Sequence, residues 1–273
     1  MFTTCLFTPG LRVDQIRKSV SSGVDLCIVD LEDSISPRRK EEARALLGET
    51  LLICKPVDVR MAVRVNSVLT EDGVLDLLAL KNAPLPPELL VLPKIESASE
   101  IAIVEALLGS RGQKIDFVVL IETHVAVEAV HAIVKASQRI KALMFGAADY
   151  ARSVGVEPGW ESLLYPRSRI AAAARGYALA AIDTPYFNIS DLAGLEEDTT
   201  KARRLGYTGR AAIHPSQLDV IRRCFALEAD RRARARRIVE AAEGAGGDIC
   251  VVNGQMIGAP IVLAAKALLG IAN

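Results

Sequence analysis

Glu122 and Asp149 each follow an apolar run that reads as a buried strand, FVVLIETH (residues 117–124) and ALMFGAAD (142–149). A carboxylate at the end of such a strand is costly unless it meets water, a cation or a partner. Two of them on successive strands point to a divalent metal held at one mouth of a barrel. As hard oxygen ligands they suit Mg2+ or Mn2+, with water and substrate completing the coordination. The competing reading has each acid accepting backbone hydrogen bonds at the start of the next helix.

Arg64, in VRVN, supplies a guanidinium that can clamp a carboxylate or enolate oxygen beside such a metal. An ion pair with Glu32 or Glu96 is its structural alternative, and the two can coexist. In DLEDS (30–34), alternation sends Asp30 and Glu32 to one face, so Glu32 is expected to orient water or Arg64. Asp33 then opens the loop, as a further acid or only as a cap. Phe7, Arg12 and Lys18 run from a strand end into the following helix. Basic groups near a helix N-terminus grip phosphates, and solvated surface charge is the alternative. His214, in IHPSQ, reads as a proton donor, a substrate contact or a satisfied buried histidine, with Pro215 opening a helix.

The elements that would position these groups alternate along the chain. Apolar, β-rich runs occupy residues 4–7, 26–31, 60–65, 89–92, 117–121, 142–145, 180–182 and 211–213. Helical patterns fall between them, at 13–22, 38–47, 74–81, 98–108, 125–136, 168–175, 192–205 and 215–224. That alternation predicts an α/β fold of the (β/α)8 TIM-barrel type over residues 1–225. Beyond it lie a charged helix (227–242), a Gly-rich turn (244–247), a short apolar run (249–252) and a last helix (260–269). Residues 226–273 are therefore expected to form a C-terminal helical extension, a lid or a subunit-contact segment.

Composition narrows the class. Of 273 residues, 51% are hydrophobic and 24% charged, with 33 basic and 33 acidic side chains. The even balance offers no support for nucleic acid or an anionic membrane as partner. Cys5, Cys27, Cys54, Cys224 and Cys250 are odd in number, scattered and without a CxxC pair. They fit a reducing compartment, and a cytoplasmic location is expected. Neither GxGxxG nor GxxxxGK[ST] is present, so dinucleotide and P-loop chemistry lack support.

Eight segments together resemble the citrate lyase β-subunit-like branch of the HpcH/HpaI aldolase superfamily. They are LFTPGLR (6–12), DLEDS (30–34), VRVN (63–66), LPKIES (92–97), LIET (120–123), FGAADY (145–150), IDTPY (182–186) and IHPSQ (213–217). The resemblance implies a Mg2+-binding TIM barrel that cleaves or forms a carbon–carbon bond in small acyl thioesters of the citryl, citramalyl or malyl type. It implies Glu122 and Asp149 as metal ligands and Arg64 on the substrate's oxygens, and Glu32, by the alternation above, joins Arg64 as the catalytic pair. Phe7, Arg12 and Lys18 match contacts to a coenzyme A moiety, and Ala148 a backbone contact beside the metal. A trimer, or a dimer of trimers, is the implied assembly.

One position departs from the pattern. Relatives carry an aspartate near the C-terminus, in M-[IV]-D-x-P, that reaches the active site of a neighbouring subunit. The segment here is Met256-Ile257-Gly258-Ala259-Pro260. Glycine cannot transfer a proton, so acyl-thioester hydrolysis and a non-catalytic, ligand-binding partner subunit stand beside the lyase as alternatives.

Overall fold

Strands that are buried at every position cannot belong to a sheet with one wet face; both faces must be covered. This is the state of β2 (Leu26–Asp30), β4 (Leu89–Leu92) and β8 (Gly209–Ala212). With β1 (Thr4–Pro9), β3 (Arg60–Arg64), β5 (Asp116–Ile121), β6 (Ile140–Phe145) and β7 (Ala180–Asp183) they form one closed barrel in sequence order. Every pairing is parallel, and β8 returns to β1 through Thr4–Arg210, Cys5–Ala211 and Leu6–Ala212. Closure leaves no unpaired edge. The computed structural model describes residues 2–53, 59–226, 228–246, 248–269 and 271; Cys54, Leu227 and Gly247 lie outside them.

The period of two along each strand decides what faces the barrel axis. Cys5, Leu26, Ile28, Ala62, Val91, Val118, Leu120, Ala142, Met144, Ile182 and Ala211 fill the interior as one apolar cluster. Continuing the same parity places Asp30 above Ile28, Arg64 above Ala62 and Glu122 above Leu120. The C-terminal mouth is thus polar because the alternation is carried one residue beyond the apolar layer.

The surrounding helices are α1 (Val13–Ser21), α2 (Lys40–Ala45), α3 (Leu47–Ile53), α4 (Glu71–Asn82), α5 (Ala98–Leu108), α6 (His124–Lys135), α7 (Ala147–Val154), α8 (Leu164–Gly176), α9 (Leu192–Leu205) and α10 (Leu218–Ala226). Helix α7 lies where no helix was expected, between the strand at 142–145 and the helix at 168–175, and it carries Asp149. The strand stops at Phe145, Gly146 makes the turn, and Asp149 lies in the first turn of α7. Ala147, Tyr150 and Ala151 are buried at helical spacing, and Gly155 closes the helix in the left-handed region at φ 72°. The two alanines extend the apolar run without extending the strand.

Two compact units divide the chain, Met1–Cys224 and Phe225–Asn273. The second holds α11 (Glu228–Gly244), an antiparallel hairpin of β9 (Cys250–Val252) and β10 (Gln255–Ile257), and α12 (Ala259–Leu269). Its own core is Ala235, Ile238, Val239, Ile257 and Ala265. This extension is not wholly helical. Asn253 and Gly254 both have positive φ, 48° and 77°, the requirement of a tight two-residue hairpin turn.

Candidate active site

A cavity of about 410 Å³ opens at the C-terminal ends of the strands. Phe7, Asp30, Asp33, Arg64, Glu122 and Asp149 are among its walls. Arg64 is the hub. Its Nε and Nη2 donate to the two oxygens of Asp30 at 2.7 and 2.8 Å, a bidentate pair between neighbours in the β2–β3 register. Nη1 lies 2.9 Å from Glu32 Oε2 and 3.3 Å from Asp33 Oδ2. The first is a contact of charges without hydrogen-bond alignment, which leaves Glu32 Oε2 with no donor. Burial opposes the charge on Arg64, but Asp30, Glu32 and Asp33 outweigh it and push the guanidinium pKa up. Burial also opposes ionisation of Asp30, yet Arg64 holds that carboxyl below its usual range. The Phe7 ring supports the guanidinium from one side, 4.8 Å from centroid to Cζ.

Glu32 is positioned from two directions. Lys94 Nζ donates to its Oε1 at 2.7 Å, and burial still raises its carboxyl above the ordinary value. Beneath it, Lys40 Nζ donates to the carbonyls of Leu31 and Glu32 at 2.7 Å each and to Asn66 Oδ1 at 2.6 Å. This clamp fixes the loop that carries Glu32 and Asp33.

Glu122 follows β5 and is only 2% exposed. The Lys94 backbone N–H donates to its Oε1 at 2.7 Å, and Lys94 holds φ at 55°, a region costly for a non-glycine residue. The strained turn aims a donor at one oxygen and leaves the other available. Burial, then the charges of Glu32 and Asp149, push the Glu122 carboxyl up to about 8. Such crowding of negative charge fits a cation. Among the described residues no three His, Cys, Asp or Glu side chains converge as a ready-made cage. Two carboxylates with open positions left for water and substrate is the arrangement Mg2+ accepts, so the residues present fit the ion.

Asp149 lines the same cavity from α7 and pairs with Arg152. Gly146, between strand and helix, has no room for a side chain. A Cβ there would stand 2.4 Å from Glu122 Cβ and 2.6 Å from Glu122 Oε2. Gly146→Ala is therefore expected to displace the Glu122 carboxylate and weaken Mg2+ binding by about tenfold to a hundredfold. Calorimetric titration with Mg2+ measures this, and unchanged affinity would remove Gly146 from the site.

The structure brings Arg64, Glu122, Asp149, Phe7 and Ala148 to one cavity, with Glu32 behind Arg64. It does not bring Arg12, Lys18 or His214 to that wall. Arg12 is exposed beside Asp14 at 3.3 Å, and Lys18 is exposed on α1. His214 is exposed rather than buried. Its Nδ1 lies 2.8 Å from Ser216 Oγ and accepts from the Ser216 N–H, closing a turn, while its neighbour Ile213 faces the cavity. Gly258, in the C-terminal unit, accepts the N–H groups of Ile261 and Val262 and so starts α12. Its Cβ position is open, the nearest atom being 4.0 Å away.

Three contributors escaped sequence reasoning. Asp30, not Glu32 or Glu96, is the main partner of Arg64; the equal parity of residues 30 and 64 on adjacent strands was the available signal. Lys94 joins Glu122 to Glu32, and nothing in a sequence announces its positive φ. Thr184 Oγ1 accepts the Ala147 N–H at 3.4 Å and ties the start of α7 to the end of β7. Asp183, another strand-end acid, faces away from the axis and meets Arg167 and Arg210 at 3.1 and 3.2 Å in full burial. It is part of the scaffold.

Comparison with known proteins adds independent findings. The family described as HpcH/HpaI aldolase/citrate lyase matches residues 3–215. The citrate lyase subunit beta of Haemophilus influenzae is 31% identical over 97% of this chain and 94% of its own length. The mitochondrial citramalyl-CoA lyase of Rattus norvegicus is 28% identical over 98% of this chain and 85% of its own length. Among solved structures, protein CitE from Mycobacterium tuberculosis, in complex with magnesium, acetoacetate and coenzyme A, superposes with a TM-score of 0.83 at 28% identity. That match covers 98% of this chain and 97% of the other. No helix among the described residues is long and apolar enough to cross a membrane.

Proposed function

The chain belongs to the HpcH/HpaI aldolase/citrate lyase family, and we propose that it is a Mg2+-dependent carbon–carbon lyase acting on a small hydroxy-acyl thioester. The observation that carries this reading is the convergence of Glu122, Asp149 and Arg64 on one cavity. Glu122 and Asp149 would hold the ion, which supplies Lewis-acid polarisation of the substrate's oxygens when bound.

The chain's own groups do the rest. The first-turn amides of Ala148 and Asp149 offer donors to a substrate carboxylate, because a helix N-terminus leaves them without partners inside the helix. Arg64 keeps Nε and Nη2 on Asp30, and its Nη1 exchanges the half-exposed Asp33 for the oxygen on which charge develops. Glu32 and the Phe7 ring keep the guanidinium in that plane. As the hydroxyl loses its proton and becomes the carbonyl of an oxo acid, the carbon–carbon bond breaks. Its electron pair passes to the acyl α-carbon as an enolate, which takes up a proton to give the shortened thioester.

Arg12, just before α1, and Lys18, on α1, both exposed, are assigned to the phosphates of a coenzyme A carrier, and His214 to the rim of the substrate site. The working form is a homo-oligomer, a trimer or a dimer of trimers, in the cytoplasm, with residues 226–273 as lid or subunit contact. Gly258 specifically favours a second reading. Without the aspartate that relatives carry there, the site hydrolyses the thioester, or serves as a non-catalytic partner subunit.

Product analysis by mass spectrometry separates these readings. Malyl, citramalyl and citryl thioesters are incubated with Mg2+ and with a chelator. The lyase gives an oxo acid and a shortened thioester in equal amounts, only with the metal. Free coenzyme A beside an intact hydroxy acid would replace it with hydrolysis, and no turnover of any thioester would leave the partner-subunit reading.

A further inference from the structure

Resting on the lyase reading for the oxygen that Arg64 meets, we infer that Lys40 is a positioning residue: from outside the cavity lining it stops Arg64 Nη1 closing a hydrogen bond on Glu32, and so keeps that donor free for the substrate. Lys40 opens α2 within the run PRRKEE (37–42), and it alone of those six residues is buried. All three of its ammonium hydrogens go to neutral oxygens, those of the Leu31 and Glu32 carbonyls and Asn66 Oδ1. Burying a charge against neutral oxygens is costly. Such departures from the rules of stability cluster where function needs them.

The ammonium ties together the two loops that carry the groups in question. The Leu31 and Glu32 carbonyls belong to the peptides on either side of the Glu32 α-carbon. Asn66 lies two residues beyond Arg64, and the Leu31 N–H donates to the Arg64 carbonyl at 2.9 Å. Asn66 is anchored in turn. Its backbone N–H and Nδ2 donate to Oδ2 of the fully buried Asp76 at 2.8 and 2.7 Å, and Arg44 Nη1 donates to Asp76 Oδ1 at 3.2 Å. With both loops fixed, Arg64 Nη1 stands 2.9 Å from Glu32 Oε2 yet out of alignment. A small rotation of the Glu32 loop would align the two, adding a charge-assisted hydrogen bond that an incoming substrate must then break.

Lys40→Met is expected to lower kcat, for the thioester that the wild type cleaves, by about tenfold to a hundredfold at a temperature where the variant is folded. Mg2+ affinity stays unchanged, because Glu122 and Asp149 stand on other elements. Oxalate, which offers anionic oxygens to the ion and to Arg64, is expected to bind the Mg2+-saturated variant more weakly by a similar factor, read by calorimetric titration. Asp76→Asn acts from the far end of the same chain of bonds and shifts both readouts in the same direction. Because both substitutions work through Asn66, the double variant loses less than the product of the two single losses. Unchanged kcat and oxalate affinity beside a lowered melting temperature would leave Lys40 a stabilising residue only and overturn the inference. The full product of losses in the double variant would overturn it as well. If Lys40→Met does not fold, Asp76→Asn carries the test by the same two readouts. A wild-type protein that cleaves no thioester would end the lyase reading, and the oxalate titration would still decide the role of Lys40.

Discussion

Glu122→Gln is expected to lower Mg2+-dependent turnover by more than about a thousandfold, roughly 4 kcal/mol of barrier, while leaving a folded and, without metal, more heat-stable protein. The two effects share one cause. The glutamine keeps an oxygen for the Lys94 N–H, which donates at 2.7 Å to Glu122 Oε1, but it carries no charge. In the metal-free protein, burial and the charges of Glu32 and Asp149 push the Glu122 carboxyl up to about 8. In the unfolded chain a glutamate titrates near ~4.3. A group whose folded value is the higher one binds its proton more tightly when folded. Its contribution to stability is complete below the unfolded value and lost as pH climbs toward the folded one. Metal-free wild-type protein therefore loses melting temperature between about pH 4.5 and 8, and Glu122→Gln removes that part of the slope. Mg2+ restores the wild type at neutral pH and does nothing for the variant. Thermal melts from acid to pH 8.5, with chelator and with Mg2+, measure all three. A variant that is still stabilised by Mg2+ and still turns over would take Glu122 out of the metal site.

The same charge logic explains why so much of the barrel was legible in the sequence. Strands buried on both faces read as largely apolar runs, and all eight stood out within a few residues of their ends, despite charged members such as Lys141 and Arg210. Polar groups just past those runs had few ways to face, so Asp30, Arg64 and Glu122 could be expected at the mouth. What sequence could not supply was the pairing of one polar group with another. Arg64 had three acids within reach by parity or loop position, and register with β2 selected Asp30. Lys94 links Glu122 to Glu32 only because its backbone takes a left-handed turn, a tertiary constraint without a local signature. Helix α7 was missed for a simpler reason: Ala147 and Ala148 are apolar and also good helix formers, so the apolar run to Asp149 hid the change from strand at Phe145 to helix. In the C-terminal unit the Asn253–Gly254 pair was a hairpin signal left unread between the short apolar run at 249–252 and the helix at 260–269.

Arg64→Ala is expected to cost both stability and activity, and the two losses can be separated. Removing the guanidinium leaves Asp30, 2% exposed, and Glu32, 4% exposed, without their main cation. Breaking one side of such a buried pair costs about 3–5 kcal/mol. For a domain of this size that lowers the melting temperature by roughly 6–20 °C. Arg64→Met combined with Asp30→Asn removes both charges and keeps similar volume, so most of that stability returns. Activity does not, because methionine places no donor on the oxygen where charge develops; a deficit of more than about a thousandfold remains, typical of losing a transition-state hydrogen-bond donor. Arg64→Lys separates charge from shape. Lysine keeps the cation but cannot bridge both oxygens of Asp30 while presenting a third donor to the substrate. Its loss should fall mainly in kcat rather than KM, because the missing contact forms as the bond breaks. Calorimetric melts and steady-state kinetics on the three variants read these outcomes. Recovery of activity in the paired variant would reduce Arg64 to a scaffold residue, and an unchanged kcat in Arg64→Lys would show that charge alone suffices.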